Sequence, residues 1–302
     1  MNSRQNQTNI NWYPGHMAKT KKQIMQDIAL VDVVLELLDA RIPIASSNPE
    51  WEEMLKNKKR IIVLNKADLA EEKENQKWVS YFVAKGIETV CTDASSRRGI
   101  PELMKKIEEV ASEKQKQLGE KGRVGKSIRV MILGIPNVGK SSMINRMTKK
   151  ASAIVGNKPG VTRQKQWVRL SNSNIELLDT PGMLWPKLQT QEIAMHLAYT
   201  GTIKDDIMPM IEVAYDLTKF LLQNKKKAFI ERYHLEEKEI DAILANTQQE
   251  ENENILEIMH LVGKKRGAVL SGGRIDEEKT ARILLDDFRS GKIGRITVET
   301  VK

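Results

Sequence analysis

The stretch Gly134-Ile135-Pro136-Asn137-Val138-Gly139-Lys140-Ser141 constrains this chain more than any other, because of what flanks it. An apolar run from Ile128 to Leu133 precedes it, and a helix-competent run begins at Lys140. The pattern is G-x-x-x-x-G-K-S in a strand, loop and helix setting. Its glycines let the backbone curl until successive N–H groups face one phosphate, and the following helix aims its positive end at the same point. Asn137, Val138 and Gly139 line that cradle. Lys140 brings a mobile charge for the β and γ phosphates, Ser141 a hydroxyl for Mg2+, and Ser142 reaches the α-phosphate. A strand that feeds a helix through such a loop belongs in a parallel α/β sheet.

The rest of the first half agrees with that sheet. Val31 to Leu38, Arg60 to Leu64 and Ile87 to Thr92 are short apolar runs, as strands buried on both faces require. Each ends in polar loop residues: Asp39-Ala40-Arg41-Ile42-Pro43, Asn65-Lys66-Ala67-Asp68 and Asp93-Ala94-Ser95. Helical segments are predicted near 17–30, 50–57, 71–85 and 101–118. Alternation of this kind predicts a doubly wound, mostly parallel sheet with its ligand at the carboxyl ends of the strands. The basic, Gly-containing stretch 119–126 reads as a linker. After the phosphate loop and its helix come two more strands, the second running from Ile175 to Leu178 and ending in Asp179-Thr180-Pro181-Gly182.

Composition sets outer limits. The chain has 302 residues, 40% hydrophobic and 29% charged, enough for two domains without staples. Its one cysteine, Cys91, excludes an internal disulfide and suits a reducing compartment. No apolar leader opens the chain and no stretch reaches the length of a spanning helix, so a cytoplasmic protein without a membrane partner is expected. The formal net charge of +9 favours polyanionic partners.

Asn65-Lys66-Ala67-Asp68 has the form N-K-x-D, whose chemistry fits guanine. The Asp68 carboxylate can accept from N1–H and from the exocyclic amine together, an arrangement adenine cannot satisfy. Asn65 either bonds the base or ties its loop to the phosphate loop, and the Lys66 stem covers one face of the ring. Ala94 and Ser95 would bring backbone N–H groups toward the guanine O6. Asp179 is placed to hold Mg2+ through water, Gly182 to meet the γ-phosphate, and Thr162 to give Mg2+ a second hydroxyl.

Together these residues resemble the five motifs of the Ras-like GTPases, but in a circularly permuted order, with N-K-x-D and Ala-Ser before the phosphate loop. Trp12-Tyr13-Pro14-Gly15-His16-Met17, Asp39 to Pro43, and Gly267-Ala268-Val269-Leu270-Ser271-Gly272-Gly273 all resemble the bacterial ribosome biogenesis GTPase A family. The resemblance implies a circularly permuted P-loop GTPase domain followed by an all-α domain, with GTP or GDP and Mg2+ bound. It also implies a client: a late precursor of the large ribosomal subunit, met through rRNA and ribosomal proteins, with turnover slow alone and stimulated on the subunit. The alternative is an RNA-binding assembly chaperone that holds GTP as a static ligand.

Met183 stands where many GTPases carry a glutamine that orients the attacking water. A thioether cannot do this, and the resemblance offers His16 instead, whose imidazole accepts a proton at neutral pH. The other reading of His16 is an arm residue making a structural or RNA contact. Arg163 and Arg41 are further candidates for stabilising phosphate charge. Asn137 resembles the asparagine that places K+ in potassium-activated GTPases.

Residues 1–190 are expected to form the GTPase domain with its basic arm, and 191–302 a helical, RNA-binding domain. There apolar residues recur at three and four, as in Ile203, Ile207, Ile211 and Ala214. Lys264, Lys265, Arg266, Arg274 and Arg282 are the candidate RNA contacts beside Gly-rich turns. Asn246 to Asn254 is predicted as a loop and Ile296 to Val298 as a strand. A monomer is expected away from the ribosome.

Overall fold

The computed structural model describes residues 15–119, 127–148, 166–170, 174–180, 190–203, 205, 207–247 and 250–301; side chains 15–21, 113–119, 166 and 179 are not described. The first 193 residues carry, in order, α1 (Gly15–Ile28), β1 (Val33–Asp39), α2 (Glu50–Met54), β2 (Lys59–Asn65), α3 (Glu72–Ala84), β3 (Glu88–Cys91), α4 (Ile100–Gly119), β4 (Ile128–Gly134), α5 (Lys140–Thr148), β5 (Gln166–Arg169) and β6 (Ile175–Asp179). The strands form one sheet in the order β3-β2-β1-β4-β6-β5. β5 runs antiparallel to β6 and the other pairings are parallel. The doubly wound α/β architecture read from the strand endings is therefore present.

β1 is the centre of the sheet and every one of its seven residues is buried, which is why it reads as an almost unbroken apolar run. Glu36 interrupts that run. Its carboxylate pairs with Arg60 and accepts a 2.9 Å hydrogen bond from the Ser47 hydroxyl. Burial pushes its pKa up, and Arg60 opposes the rise.

Register then decides where the loops meet. Asp39 lies opposite Asn65, Leu37 opposite Gly134, and Ile132 opposite Asp179, so four strands end at one edge. From β1 the chain moves outward to β2 and β3, then returns to add β4 on the other side. The loops after β1 and β4 thus diverge and leave a crevice, the usual ligand position in open α/β sheets. Ile24 and Ile28 of α1 pack with Trp51 on Val34, Met131, Leu133 and Leu178. On the same face Trp78 and Phe82 of α3 cover Leu38, Ile62 and Leu64. Right-handed crossovers put α4 and α5 on the opposite face.

Residues 194–296 form a second compact unit, while 297–302 belong with the first. Its helices are α6 (Gln191–Tyr199, begun in the first unit), α7 (Met210–Asn224), α8 (Lys226–Tyr233), α9 (Glu237–Leu244), α10 (Glu251–Lys265) and α11 (Glu277–Arg289). Leu217, Leu221, Phe229, Ile258, Val262 and Leu284 are buried in its core. Asp287, also buried, accepts both arms of the Arg232 guanidinium at 2.9 Å and so pins α8 to α11.

Three local expectations are corrected. Ile203 and Ile207 do not continue a helix with Ile211; they lie in the turn between α6 and α7, which Gly201 (φ +72°) opens and Pro209 closes. Residues 251–254 are helical: α10 starts at Glu251, and Asn254 is buried, donating to the Asn246 carbonyl at 3.1 Å. Residues 296–298 join no strand, because the Val298 N–H pairs with the single carbonyl of Arg41 at 2.9 Å.

Candidate functional site

The loops at the shared edge are held together by one side chain. Asn65, the last residue of β2, is 1% exposed. Its amide donates to the Val138 carbonyl of the phosphate loop at 2.8 Å. Its Oδ1 accepts from the Thr92 hydroxyl at 3.2 Å and from the Ala94 N–H at 3.3 Å. Of the two roles open to Asn65 in the sequence, the structure displays the tie to the phosphate loop. Three separate loops therefore share one amide. A Cβ on Gly139 would come within 2.4 Å of that amide nitrogen, and the residue sits at φ +101°, so only glycine fits there. Gly134 is equally confined, its added Cβ falling 2.9 Å from the Leu37 carbonyl.

Lys140 opens α5, is buried, and donates from Nζ to the carbonyls of Gly134 at 3.0 Å and Ile135 at 2.7 Å. Asn137 adopts φ 59°, which turns the loop over on itself. Ser141 and Ser142 follow in the first turn of α5. A buried ammonium, a helix N-terminus and glycines with no room for a side chain form a donor set that fits polyphosphate. Among the described residues no group of three or more His, Cys, Asp or Glu is placed to hold a metal ion. Mg2+ typical of such sites is bound by few protein groups together with substrate phosphates.

Lys66 follows Asn65 at φ 58°, and its Nζ lies 3.1 Å from Asp39 Oδ2. Asp39 also takes both arms of Arg41, Nε to Oδ1 at 2.9 Å and Nη2 to Oδ2 at 2.8 Å, as well as the Arg41 N–H. Burial alone would raise the Asp39 pKa, but Arg41 and Lys66 outweigh it and hold the carboxyl well below its ordinary range. Burial lowers the Lys66 pKa against the pull of Asp39. Arg41 was a candidate for phosphate charge. At 1% exposure, with its fork filled by Asp39, it instead supports the loop that carries Lys66 and Asp68.

The Ala94-Ser95 loop is also held from beneath. The Ser95 N–H and hydroxyl both donate to Asp93, with the N–H at 2.7 Å. Burial opposes the resulting fall in the Asp93 pKa, but these bonds prevail and lower it. Both backbone N–H groups expected to face a base are thus engaged with protein acceptors, Ala94 with Asn65 of the neighbouring loop and Ser95 with Asp93 of its own. Arg146 of α5, which sequence reading passed over, donates from Nε to the Ala94 carbonyl at 2.7 Å and from Nη2 to the Ser95 carbonyl. One basic residue late in a helix carries no signal in a single sequence.

Asp179 ends β6 at the same edge. Thr180 beside it donates its hydroxyl to the Ile132 carbonyl at 2.5 Å, locking β6 to β4. His16 lies in the first turn of α1. Thr162, Arg163, Gly182 and Met183 fall outside the described residues. In the second unit Lys264, Lys265, Arg274 and Arg282 are exposed. Arg266 turns inward, with its guanidinium 3.4 Å from Asp287 Oδ2 and stacked over Tyr233. No helix among the described residues is long and apolar enough to cross a membrane.

Comparison with known proteins adds to this geometry. A family model described as "50S ribosome-binding GTPase" matches residues 129–265. Ribosome biogenesis GTPase A of Bacillus cereus is 40% identical over 291 residues, covering 96% of this chain and 94% of that protein. The Thermotoga maritima protein of the same name is 31% identical over 290 residues, covering 96% and 94%. Mitochondrial ribosome-associated GTPase 1 of Bos taurus is 31% identical, covering 95% of this chain and 88% of that one. Among solved structures, GNP-bound YlqF from T. maritima superposes with a TM-score of 0.61 at 26% identity, over 93% of this chain and 98% of that one. GDP-bound TM YlqF gives 0.63 at 25%, over 92% and 98%. GTP is accordingly a substrate here. With its guanine-type loop preceding its phosphate loop on one sheet edge, the chain belongs to the ribosome biogenesis GTPase A family of circularly permuted GTPases.

Proposed function

We propose that the protein hydrolyses GTP on a late precursor of the large ribosomal subunit, bound in the cytoplasm through rRNA and ribosomal proteins, and that the subunit stimulates turnover. The observation that carries the reading is the three-way tie at Asn65, which makes one site of the base loops and the phosphate loop. Relatives at 40% identity over nearly the whole chain bear the name ribosome biogenesis GTPase A, the matching family model is described as a 50S ribosome-binding GTPase, and the client is drawn from these two names.

Under this reading Asp68 takes the guanine N1–H and amine, Lys66 covers the ring, and the Ala94-Ser95 loop faces O6. Asn137 to Ser142 hold the phosphates, with Gly182 at the γ position. Ser141, Thr162 and, through water, Asp179 place Mg2+, while Asn137 adjoins a K+ that spreads phosphate charge. His16 orients the attacking water. In support, the chain passes from α1 into β1 through a short turn, which lays α1 antiparallel to β1. Its first turn is then the end nearer the carboxyl edge of the sheet. In the helical unit, residues 194–296, the Gly267–Asp276 turn carries Arg274 and exposes Val269 and Leu270 beside Lys264 and Lys265, with Arg282 on α11. These cations and apolar tips suit phosphate and base contacts on RNA.

Phosphate release with and without purified large subunits tests the proposal. Release is expected to rise on adding subunits, and His16→Ala to cut the stimulated rate about 100-fold while sparing GTP binding. A rate indifferent to subunits removes the client, and a normal stimulated rate in the variant removes His16.

A further inference from the structure

The base loops touch a segment far away in sequence. Residues 297–301 lie on the first unit across the loop after β1 and the start of α3. The N–H groups of Val298 and Glu299 both donate to the Arg41 carbonyl, at 2.9 and 3.2 Å. The Glu299 carboxylate accepts the Ile44 N–H at 2.6 Å and the Ala45 N–H at 3.1 Å. The Glu299 carbonyl accepts from the Trp78 indole at 2.9 Å, and the Thr297 hydroxyl accepts the Glu71 N–H at 2.9 Å. Val301 packs on the cluster that contains Ala67 and Ala70.

These contacts converge on the two ends of the Asn65-Asp68 loop. On one side, Arg41 is fixed by its carbonyl to 298–299 and by its guanidinium to Asp39, which in turn binds Lys66. On the other, Glu71 stands three residues beyond Asp68, and Asn75 of the same helix donates to the Ala67 carbonyl at 3.0 Å. None of the residues 297–301 carries one of the nucleotide-binding roles assigned above. We propose that Glu299 is a positioning residue for guanine recognition: by chelating the Ile44 and Ala45 N–H groups it holds the β1 loop, and through it the Arg41-Asp39-Lys66 relay, in the geometry that lets Asp68 meet the base. The proposal rests on the reading of Asn65 to Asp68 as the guanine loop.

Two ligands separate positioning from simple stability. Inosine diphosphate lacks the 2-amino group, so its affinity does not depend on a bidentate Asp68, whereas that of GDP does. In the full chain, Glu299→Ala is expected to weaken GDP about tenfold and to narrow the preference for GDP over inosine diphosphate about threefold or more. Glu299→Gln keeps one acceptor oxygen and is expected to retain most of both. A Glu299→Ala protein with parental GDP affinity and parental preference overturns the proposal, whatever its melting temperature. So does one that loses affinity for both ligands equally, since that is general loosening. Asp68→Ala serves as the control. If it too leaves GDP binding intact, the guanine-loop reading falls along with the positioning role; if it abolishes the preference while Glu299→Ala does not, only the positioning role falls.

Discussion

Asp39 shows how one buried carboxylate can join two loops. It is 1% exposed and compensates Arg41 and Lys66 at once. Removing one partner of a buried ionic group leaves the others without compensation, at a cost of about 3–5 kcal/mol. Asp39→Asn is therefore expected to destabilise the first unit by that order, read as a lower urea midpoint at pH 7. The sign of the pH dependence follows from the depressed pKa. The unfolded carboxyl holds its proton up to about pH 4, while the folded one has already lost it. Stability from this residue is thus present above about pH 4 and is lost as pH falls below it. The variant should show a shallower loss than the parent between about pH 4 and pH 2. The motif residues could be named because phosphate and guanine chemistry admit few side chains, and Asn65 does bring their loops together. The partners of Asp39, Arg41 and Arg146 were not legible, and Arg41 was read toward phosphate, since such roles depend on what a fold brings to a residue.

At the scale of elements, the apolar runs named the strands to within a residue or two, as in β4, expected from Ile128 and ending one residue later than Leu133. Burial on both faces leaves no alternative pattern for such strands. The helical unit was harder. Helical spacing persisted across Ile203 and Ile207 although the backbone turns there, because residues in a turn can also point into a core, as Ile203 does. Close helix packing left a weaker trace still. At Gly263 of α10 an added Cβ would lie 2.5 Å from Thr280 Oγ1 on α11 and 2.7 Å from Ile275 Cγ2. Gly263→Ala gains helix propensity of about 1 kcal/mol but overpacks this crossing by about 1–3 kcal/mol. A net loss in melting temperature is expected, and an increase would show that α10 and α11 can separate cheaply.

For the whole molecule, the chain leaves the first unit after residue 193 and re-enters it at 297. The helical unit is thus an insertion joined to the GTPase unit at two places. One connection follows the Asp179-Gly182 loop and the other runs into residues 297–301. If the Asp179-Gly182 loop responds to the γ-phosphate, that response reaches the first connection with no intervening strand among the described residues. Small-angle scattering is expected to differ between GDP and a non-hydrolysable GTP analogue, and superimposable profiles would argue that the two connections keep the units in place. Permutation was readable from motif order alone. The second connection was not, because a few residues without periodicity say nothing about where they bind.

That second connection also sets a timetable. Trp78 donates its indole hydrogen to a carbonyl 221 residues later in the chain, and the Glu71 N–H meets a hydroxyl 226 residues later. During synthesis, β1, β2 and β3 emerge early with the base-recognition loops, yet their covering partners at 297–301 appear only after the phosphate loop and the entire helical unit. Loop-closure entropy makes such distant contacts slow to form. A ribosome pausing before residue 297 would therefore hold a GTPase unit that has its sheet but not the segment that braces its guanine loop.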